Sequence, residues 1–270
     1  MSKRGQGPAS PVWLPHITPS NPLPIYGAPG YSVDVALQDQ NSPIVNWILH
    51  NDLETLTLAA NTIVDQNTIT LQAGHSTVVG NIINLLGNNS FYQGTVTNVA
   101  GNTITLDIPV DHVFLTTDHI TRGNGNANVD GSGTRVLFHG HPPPGQLWDI
   151  TYFSIVMLDD AAMDDSKFGS LAALTNGLCL RKKNNVYDNI GVAKNNLDFK
   201  AQGCNVTYWE KSGGGEYSIQ AVCRFAGQQN AGVTVRLDGD TDEEIEMIVQ
   251  DDLRNLTQIS SVVVGHVVVN

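Results

Sequence analysis

The most constraining feature of this chain is a succession of short apolar runs that alternate with polar residues in its last quarter. These runs occupy residues 205–211, 216–226, 231–238, 245–250 and 259–269. Tight polar turns separate them. Alternation with a period of two predicts strands with one buried face, and several such strands at this spacing are typical of a β-sandwich.

The rest of the chain favours the same all-β class. The sequence contains 26 Gly and 12 Pro, which punctuate intervals rich in Val, Ile and Thr. Charged residues make up only 15% of the chain, below the roughly 25% usual for soluble domains. We expect a surface of Asn, Gln, Ser and Thr that favours contact with other protein surfaces.

The charge distribution argues against a nucleic-acid partner. The net charge is −12, and no Lys or Arg occurs between Arg4 and Arg122. Such a stretch cannot neutralise phosphates. The cluster of Arg181, Lys182 and Lys183 is interpreted as a solvated face. No apolar run reaches the roughly 18 residues that a membrane helix needs, so we expect no membrane partner.

The N-terminus lacks the apolar core of a signal peptide, which predicts a soluble protein made in a cytoplasm. The three cysteines, Cys179, Cys204 and Cys223, fall on predicted strands and are odd in number. We therefore expect buried thiols and no disulfide framework.

Residues 1–32 hold seven of the twelve prolines with apolar residues such as Trp13 and Tyr26 between them. This composition excludes a helix or a central strand. It predicts an extended arm that lies across a neighbouring subunit, the alternative being an arm folded back on its own domain.

Residues 33–122 are predicted to form a small β domain resembling a barrel. A helix is expected around residues 43–50, where Ile44, Trp47 and Ile48 would share a face. The candidate strands of this domain are residues 57–60, 62–64, 68–71, 77–86, 92–99 and 103–106.

Residues 123–133 form a Gly- and Asn-rich segment that predicts an interdomain linker. It does not complete a phosphate-binding glycine pattern. Residues 134–270 are predicted to form the second domain, a jelly-roll-like β-sandwich opening with strands at 134–139 and 148–158. An acidic loop or helical turn is expected at 159–170.

One candidate metal site stands out. His139 and His141 are alternate residues on a predicted strand and would point to one face. If three subunits met on an axis, three such pairs would offer six imidazole nitrogens to one ion. The alternative is a pair of polar residues ahead of a proline-rich turn.

Other constellations are weaker. Residues 238–244 alternate acidic positions but depart from a calcium-binding loop, and we interpret them as a solvated hairpin turn. The pairs Asp159-Asp160 and Asp164-Asp165 do not supply the fixed separation of glycosidase carboxylates. No hydrolase motif is present, so we expect a protein without enzymatic activity or cofactor. Four tryptophans leave carbohydrate binding open: Trp13, Trp47, Trp148 and Trp209.

Four segments of the sequence are distinctive: Gly101-Asn-Thr-Ile-Thr-Leu-Asp-Ile-Pro-Val-Asp, Lys167-Phe-Gly-Ser-Leu-Ala-Ala-Leu-Thr-Asn-Gly-Leu-Cys-Leu-Arg, Phe225-Ala-Gly-Gln-Gln-Asn and Ile248-Val-Gln-Asp-Asp-Leu. In these segments the chain resembles virion structural proteins of tailed bacteriophages. The likeness covers roughly residues 60–270.

This resemblance implies a tail, baseplate or fibre-attachment component that works in a symmetric oligomer, a homotrimer or homohexamer, with other phage structural proteins as partners. It implies location in the virion after assembly in the host cytoplasm. A capsid decoration or head-fibre protein is the alternative, as is a module that binds a host-surface glycan.

Overall fold

The fold is all-β. The computed structural model describes residues 43–183, 188–211, 214–225 and 235–268. The predicted arm at residues 1–32 lies outside the described residues. So do residues 231–234, the first half of the strand predicted at 231–238. The elements in chain order are β1 (Ile44–Ile48), β2 (Asn51–Leu56), β3 (Thr68–Thr70), β4 (Ile82–Gly87), β5 (Ser90–Ala100), β6 (Thr103–Leu106), β7 (His119–Asn124), β8 (Val136–Gly140), β9 (Leu147–Asp159), β10 (Leu178–Lys183), β11 (Asp188–Ala193), α1 (Asn196–Ala201), β12 (Asn205–Glu210), β13 (Tyr217–Arg224), β14 (Val235–Asp238), β15 (Glu244–Val249) and β16 (Gln258–Val268).

The largest antiparallel sheet is built around β9, the longest strand. Its order is β1-β16-β9-β13-β12, and β14 also pairs with β9. The alternating sequence of β16 explains why it forms a strand, since every second residue from Ile259 to Val267 is buried while the residues between these positions are partly exposed. The predicted run at 259–269 is therefore confirmed as a strand over its described residues, 259–268.

A four-stranded antiparallel sheet, in the order β11-β10-β15-β8, contributes to the same core. Ile245, Met247 and Val249 of β15 belong to one buried cluster with Ile155 and Val263 of the larger sheet. Two sheets that share one apolar interior define a β-sandwich. The predicted sandwich is confirmed at this level.

The third sheet has its own hydrophobic core. Its order is β2-β7-β4-β5-β6-β3, and the buried residues on it include Ile83, Leu85 and Ile104. Within the described residues this sheet does not close into a barrel, so the barrel-like prediction is not met. An isolated bridge between Leu58 and Leu71 joins the continuations of its two edge strands.

The helix expected at residues 43–50 is wrong, because this segment is strand β1. Val45, Trp47 and Leu49 are all fully buried, which is a period of two and not the period of a helix. β1 pairs with β16, so this strand from the first half of the chain belongs to the sandwich. The sequence pattern was ambiguous because the run is short.

The Gly- and Asn-rich segment at 123–133 is packed against the sandwich. Ala127 is fully buried in the sandwich core and its amide donates to the carbonyl of Ile259. The side-chain amide of Asn128 donates to the carbonyl of Leu256. Asparagine side chains satisfy the backbone here, which allows a segment with few apolar residues to remain close to the core.

The prediction of three free thiols is wrong. Cys204 and Cys223 form a disulfide, and only Cys179 is a free, buried thiol among the described cysteines. The physical reason is the register of the β12–β13 pair, in which Asn205 faces Val222 and the two cysteines follow as neighbours. A spacing of 19 residues alone does not reveal that register.

The acidic segment at 238–244 is a turn, but not a hairpin turn. It connects β14, which pairs with β9, to β15, which pairs with β10 and β8, and so crosses from one sheet to the other. Its carboxylates cap the turn: Asp238 accepts from the amide of Asp240, and Asp240 accepts from the amide of Gly145.

Candidate functional site

The joint between the sandwich and the third sheet brings two histidines together. His50 lies between β1 and β2, and His139 lies on β8. The two residues form an antiparallel bridge in which each amide donates to the carbonyl of the other, at 3.2 and 2.8 Å. Their rings stand 5.1 Å apart. The backbone therefore fixes both imidazoles at the same place.

Asp52 connects the two imidazoles. Its Oδ1 lies 3.2 Å from Nδ1 of His50, and its Oδ2 lies 3.3 Å from Nε2 of His139. On the opposite side of the ring, Nδ1 of His139 lies 2.7 Å from Oε2 of Glu244. Lys183 donates to the other oxygen of Glu244 at 2.6 Å. We refer to His50, Asp52, His139 and Glu244 as the His-carboxylate cluster.

The electrostatics of the cluster favour charged carboxylates around a charged His139. Burial by itself lowers the pKa of His139, but the hydrogen bonds with Asp52 and Glu244 raise that pKa to about 9. Burial acts upward on the pKa of Glu244, whereas its bonds with His139 and Lys183 lower that pKa to about 2. Burial acts to raise the pKa of Asp52, but its hydrogen bonds with His139 and His50 hold that pKa well below its ordinary value.

His50 differs from His139 in its environment. It is 2% exposed, and burial lowers its pKa, so the ring is neutral near pH 7. Its Nδ1 also lies 3.5 Å from the side-chain amide of Asn84. Among the described residues, its Nε2 is buried without a hydrogen-bond partner.

The cluster opens onto a cleft of about 530 Å³. The side chain of Asp52 is 39% exposed and that of His139 is 18% exposed, so solvent reaches the cluster from the side of Asp52. Carboxylates of Asp52, Asp130, Glu244 and Glu246 line this cleft, together with Arg135 and the charged ring of His139.

The structure gives His139 partners other than the one expected from the sequence. The rings of His139 and His141 do stack, at 6.0 Å between centroids. However, Nδ1 of His141 lies 3.1 Å from the carbonyl oxygen of Pro142, and burial lowers the pKa of the ring. Among the described residues, the side chains close enough together to share a metal ion are those of His50, Asp52 and His139, and His141 is not one of them.

The prediction that residues 181–183 form a solvated face is wrong for Arg181, which is buried. It also missed that Lys182 and Lys183 are engaged in ion pairs. Arg181 is only 8% exposed and pairs with the buried Glu246 on the neighbouring strand β15. Lys182 and Lys183 pair with Glu243 and Glu244 at 2.8 and 2.6 Å. These three cations therefore form a ladder between β10 and β15, and Lys183 also anchors the His-carboxylate cluster.

The other acidic pairs serve local structure. Asp159 accepts from the amides of Asp160 and Ser170, at 2.8 and 2.5 Å, and thereby holds the loop after β9. Asp165 accepts from the side chains of Lys200 and Tyr208. The expectation that these neighbours do not form a glycosidase pair stays a prediction.

The tryptophans divide into two kinds. Trp47 and Trp148 are fully buried and their rings lie 5.4 Å apart, with Phe91 of β5 packed against both. This aromatic group fastens the third sheet to the sandwich. Trp209 on the edge strand β12 is 46% exposed. Trp13 lies outside the described residues.

No protein-family model matches the chain, and no curated protein or solved structure is significantly similar to it. Across the described ranges, no helix has the length and apolar character that crossing a membrane requires. The fold and the cluster therefore have to be interpreted on their own chemistry.

Sequence reasoning found one member of the cluster and missed three. His139 was selected because of its alternation with His141. His50, Asp52 and Glu244 lie far from it along the chain and meet it only through the β1–β2 turn and the β8–β15 pairing. The short spacing of His50 and Asp52, with one residue between them, was the available signal.

Proposed function

We propose that the protein is a non-enzymatic structural subunit of a tailed-bacteriophage virion, in the tail, baseplate or fibre-attachment region. In this proposal it assembles as a symmetric homotrimer or homohexamer through its N-terminal arm and its sheet edges, next to other phage structural proteins. We further propose that the sandwich is of the jelly-roll type.

The observation that carries the assembly role is an exposed apolar surface on the loops of the third sheet. The loop at 62–66 is hydrogen-bonded to the loop at 110–114, for example from the amide of Thr62 to the carbonyl of Phe114. The apolar loop surface consists of Ile63, Val64 and Val113 on these two loops together with the adjoining Leu115, all of them 40 to 59% exposed. Four such side chains on adjoining loops favour burial against another protein surface.

Two further features support assembly. The edge strand β12 leaves one side of its backbone unpaired among the described strands, and open edges are natural sites of contact between subunits. In addition, residues 1–32 contain apolar anchors between prolines, a composition suited to an extended segment that needs a surface to bury against.

The first test is the native mass of the full chain. We expect a trimer or hexamer, and the double variant I63D/V113D should dissociate it because two charges would enter the contact. The control L197D places the same charge on α1, where Leu197 is 56% exposed, and should leave the mass unchanged. A full chain that stays monomeric at all concentrations would contradict self-assembly.

The second test concerns the arm. Deletion of residues 1–30 should leave the far-UV circular dichroism and the unfolding midpoint unchanged, but abolish incorporation of the tagged protein into purified particles. Normal incorporation of the truncated protein would refute the role of the arm.

Exposed Trp209 favours a second candidate, a glycan-binding module used in host attachment. Asn205, Thr207 and Trp209 are all exposed at alternate positions of β12 and so share one face. A tryptophan beside hydrogen-bonding groups suits a sugar ring. Binding on a glycan array that disappears in W209A, but not in W13A, would support this candidate, and an array without binding would argue against it.

A further inference from the structure

We propose that His50, Asp52 and His139 bind a first-row transition-metal ion of the Zn²⁺ type at the joint between the sandwich and the third sheet. This inference goes beyond the proposed assembly role and does not depend on it. The ligand set differs from the pair expected from the sequence, because His50 and Asp52, and not His141, join His139.

The spacing of the donor atoms is the first argument. One ligand atom from each of the three residues can be chosen so that all lie within 4.8 Å of one another. The carboxylate oxygens of Asp52 lie 3.2 and 3.3 Å from the facing imidazole nitrogens. Bonds of about 2.0–2.1 Å in a tetrahedron place ligand atoms about 3.4 Å apart. Both separations between the Asp52 carboxylate and the imidazole nitrogens are therefore already close to the ligand spacing of a tetrahedral site.

The surroundings of His139 are the second argument. In metal sites the far nitrogen of a ligating histidine usually donates to a carboxylate, which fixes the tautomer and the orientation of the ring. Glu244 occupies that position, 2.7 Å from Nδ1 of His139, and Lys183 holds Glu244 in turn. Nε2 of His139 is thereby directed to Asp52.

The rigidity of the ligands is the third argument. His50 and His139 are tied together by a reciprocal pair of backbone hydrogen bonds. Gly123 of β7 lies so close to His50 that a Cβ at this position would come 2.8 Å from its Nδ1. A glycine here leaves room for the imidazole ring in this position. Preorganised ligands lose less entropy on binding.

The donor set selects the class of ion. Two imidazoles and one carboxylate suit Zn²⁺, Co²⁺ or Ni²⁺, whereas Ca²⁺ and Mg²⁺ prefer oxygen ligands throughout. Three protein ligands leave one tetrahedral position open, and the cleft beside Asp52 gives solvent access to it.

The test uses the full chain, stripped with a chelator and titrated with Zn²⁺ by isothermal titration calorimetry, with native mass spectrometry to count bound ions. We expect one ion per chain. D52N, which preserves the shape of the side chain, and H139Q should each weaken binding by more than about 100-fold, and E244Q by about 10- to 100-fold. All variants are checked for folding by circular dichroism.

H141Q is the matched control, because this histidine stacks on His139 but lies outside the ligand set. It should bind Zn²⁺ with an unchanged dissociation constant. Co²⁺ should give the intense visible absorption of a four-coordinate site in the wild type and in H141Q, but not in D52N. Loss of binding in H141Q with normal binding in D52N, or wild-type binding no stronger than that of D52N, would overturn the proposal.

Discussion

The Cys204–Cys223 disulfide is expected to contribute a large part of the stability of the sandwich. The two cysteines are 19 residues apart and close a loop that contains β12, the turn after it and most of β13. For a loop of this length, the entropy removed from the unfolded chain corresponds to about 3 kcal/mol. With a urea dependence of roughly 3 kcal/mol/M, the midpoint should fall by about 1 M when the bond is lost.

The assay compares urea unfolding with and without a phosphine reductant. On reduction, the urea concentration at the unfolding midpoint of the wild type should fall by about 1 M. C204A/C223A should already have the lower midpoint and should not respond. The control C179A removes the free buried thiol and should keep its response to the reductant. Thiol titration of the denatured protein should find one thiol before reduction and three after it. Three thiols before reduction would refute the reasoning.

Three further predictions concern the core and its turns. R181M leaves the carboxylate of Glu246 buried without its guanidinium partner and should cost about 3 kcal/mol in urea unfolding, whereas R181M/E246L should recover most of this loss; equal losses would contradict it. Burial acts to raise the pKa of Asp159, but its hydrogen bonds with Ser170 and Asp160 hold that pKa below its ordinary value, so D159N should cost about 1–2 kcal/mol at neutral pH and the difference should shrink as the pH falls through the lowered pKa; a difference that does not shrink with falling pH would argue against it. G265A places a Cβ 2.1 Å from the carbonyl oxygen of Asp149 and should cost about 1–3 kcal/mol or more, whereas G133A, which has open space around it, should stay within about 0.5 kcal/mol; similar midpoints would show that the strand pair can relax.

The sequence predicted the strands well where alternation was long. β16 follows its predicted run closely, because its 11 residues alternate between buried and less buried positions. β9 also follows its predicted run, which was recognised as a long apolar stretch, although its burial does not alternate along its whole length. β1 was mistaken for a helix because, over a few residues, the positions of Ile44, Trp47 and Ile48 fit both periods. Predicted strands at 57–60 and 62–64 are loops held by single bridges and side-chain hydrogen bonds.

The site was less predictable than the fold, for a physical reason. The bridge between His50 and His139 depends on how the strands meet at the joint. The approach of Glu244 to His139 depends on the register of the β8–β15 pair, in which His139 lies opposite Glu246. Local patterns determine which face a residue occupies, but not which distant strand lies opposite. The buried position of Arg181 was missed for the same reason, since its carboxylate partner lies on β15.

The pairing of β1 with β16 has a consequence for the order of events during synthesis. Ile44 pairs with His266, and β16 also pairs along the length of β9, so one strand made late in translation joins two that are made much earlier. Until residues 258–268 leave the ribosome, β1 and one side of β9 lack the strand with which they pair. Closing such long loops is slow. The third sheet, whose strands all lie between residues 51 and 124, can instead fold while the rest is still being made. We therefore expect nascent chains truncated before residue 258 to protect the third sheet from protease and to leave the sandwich sensitive.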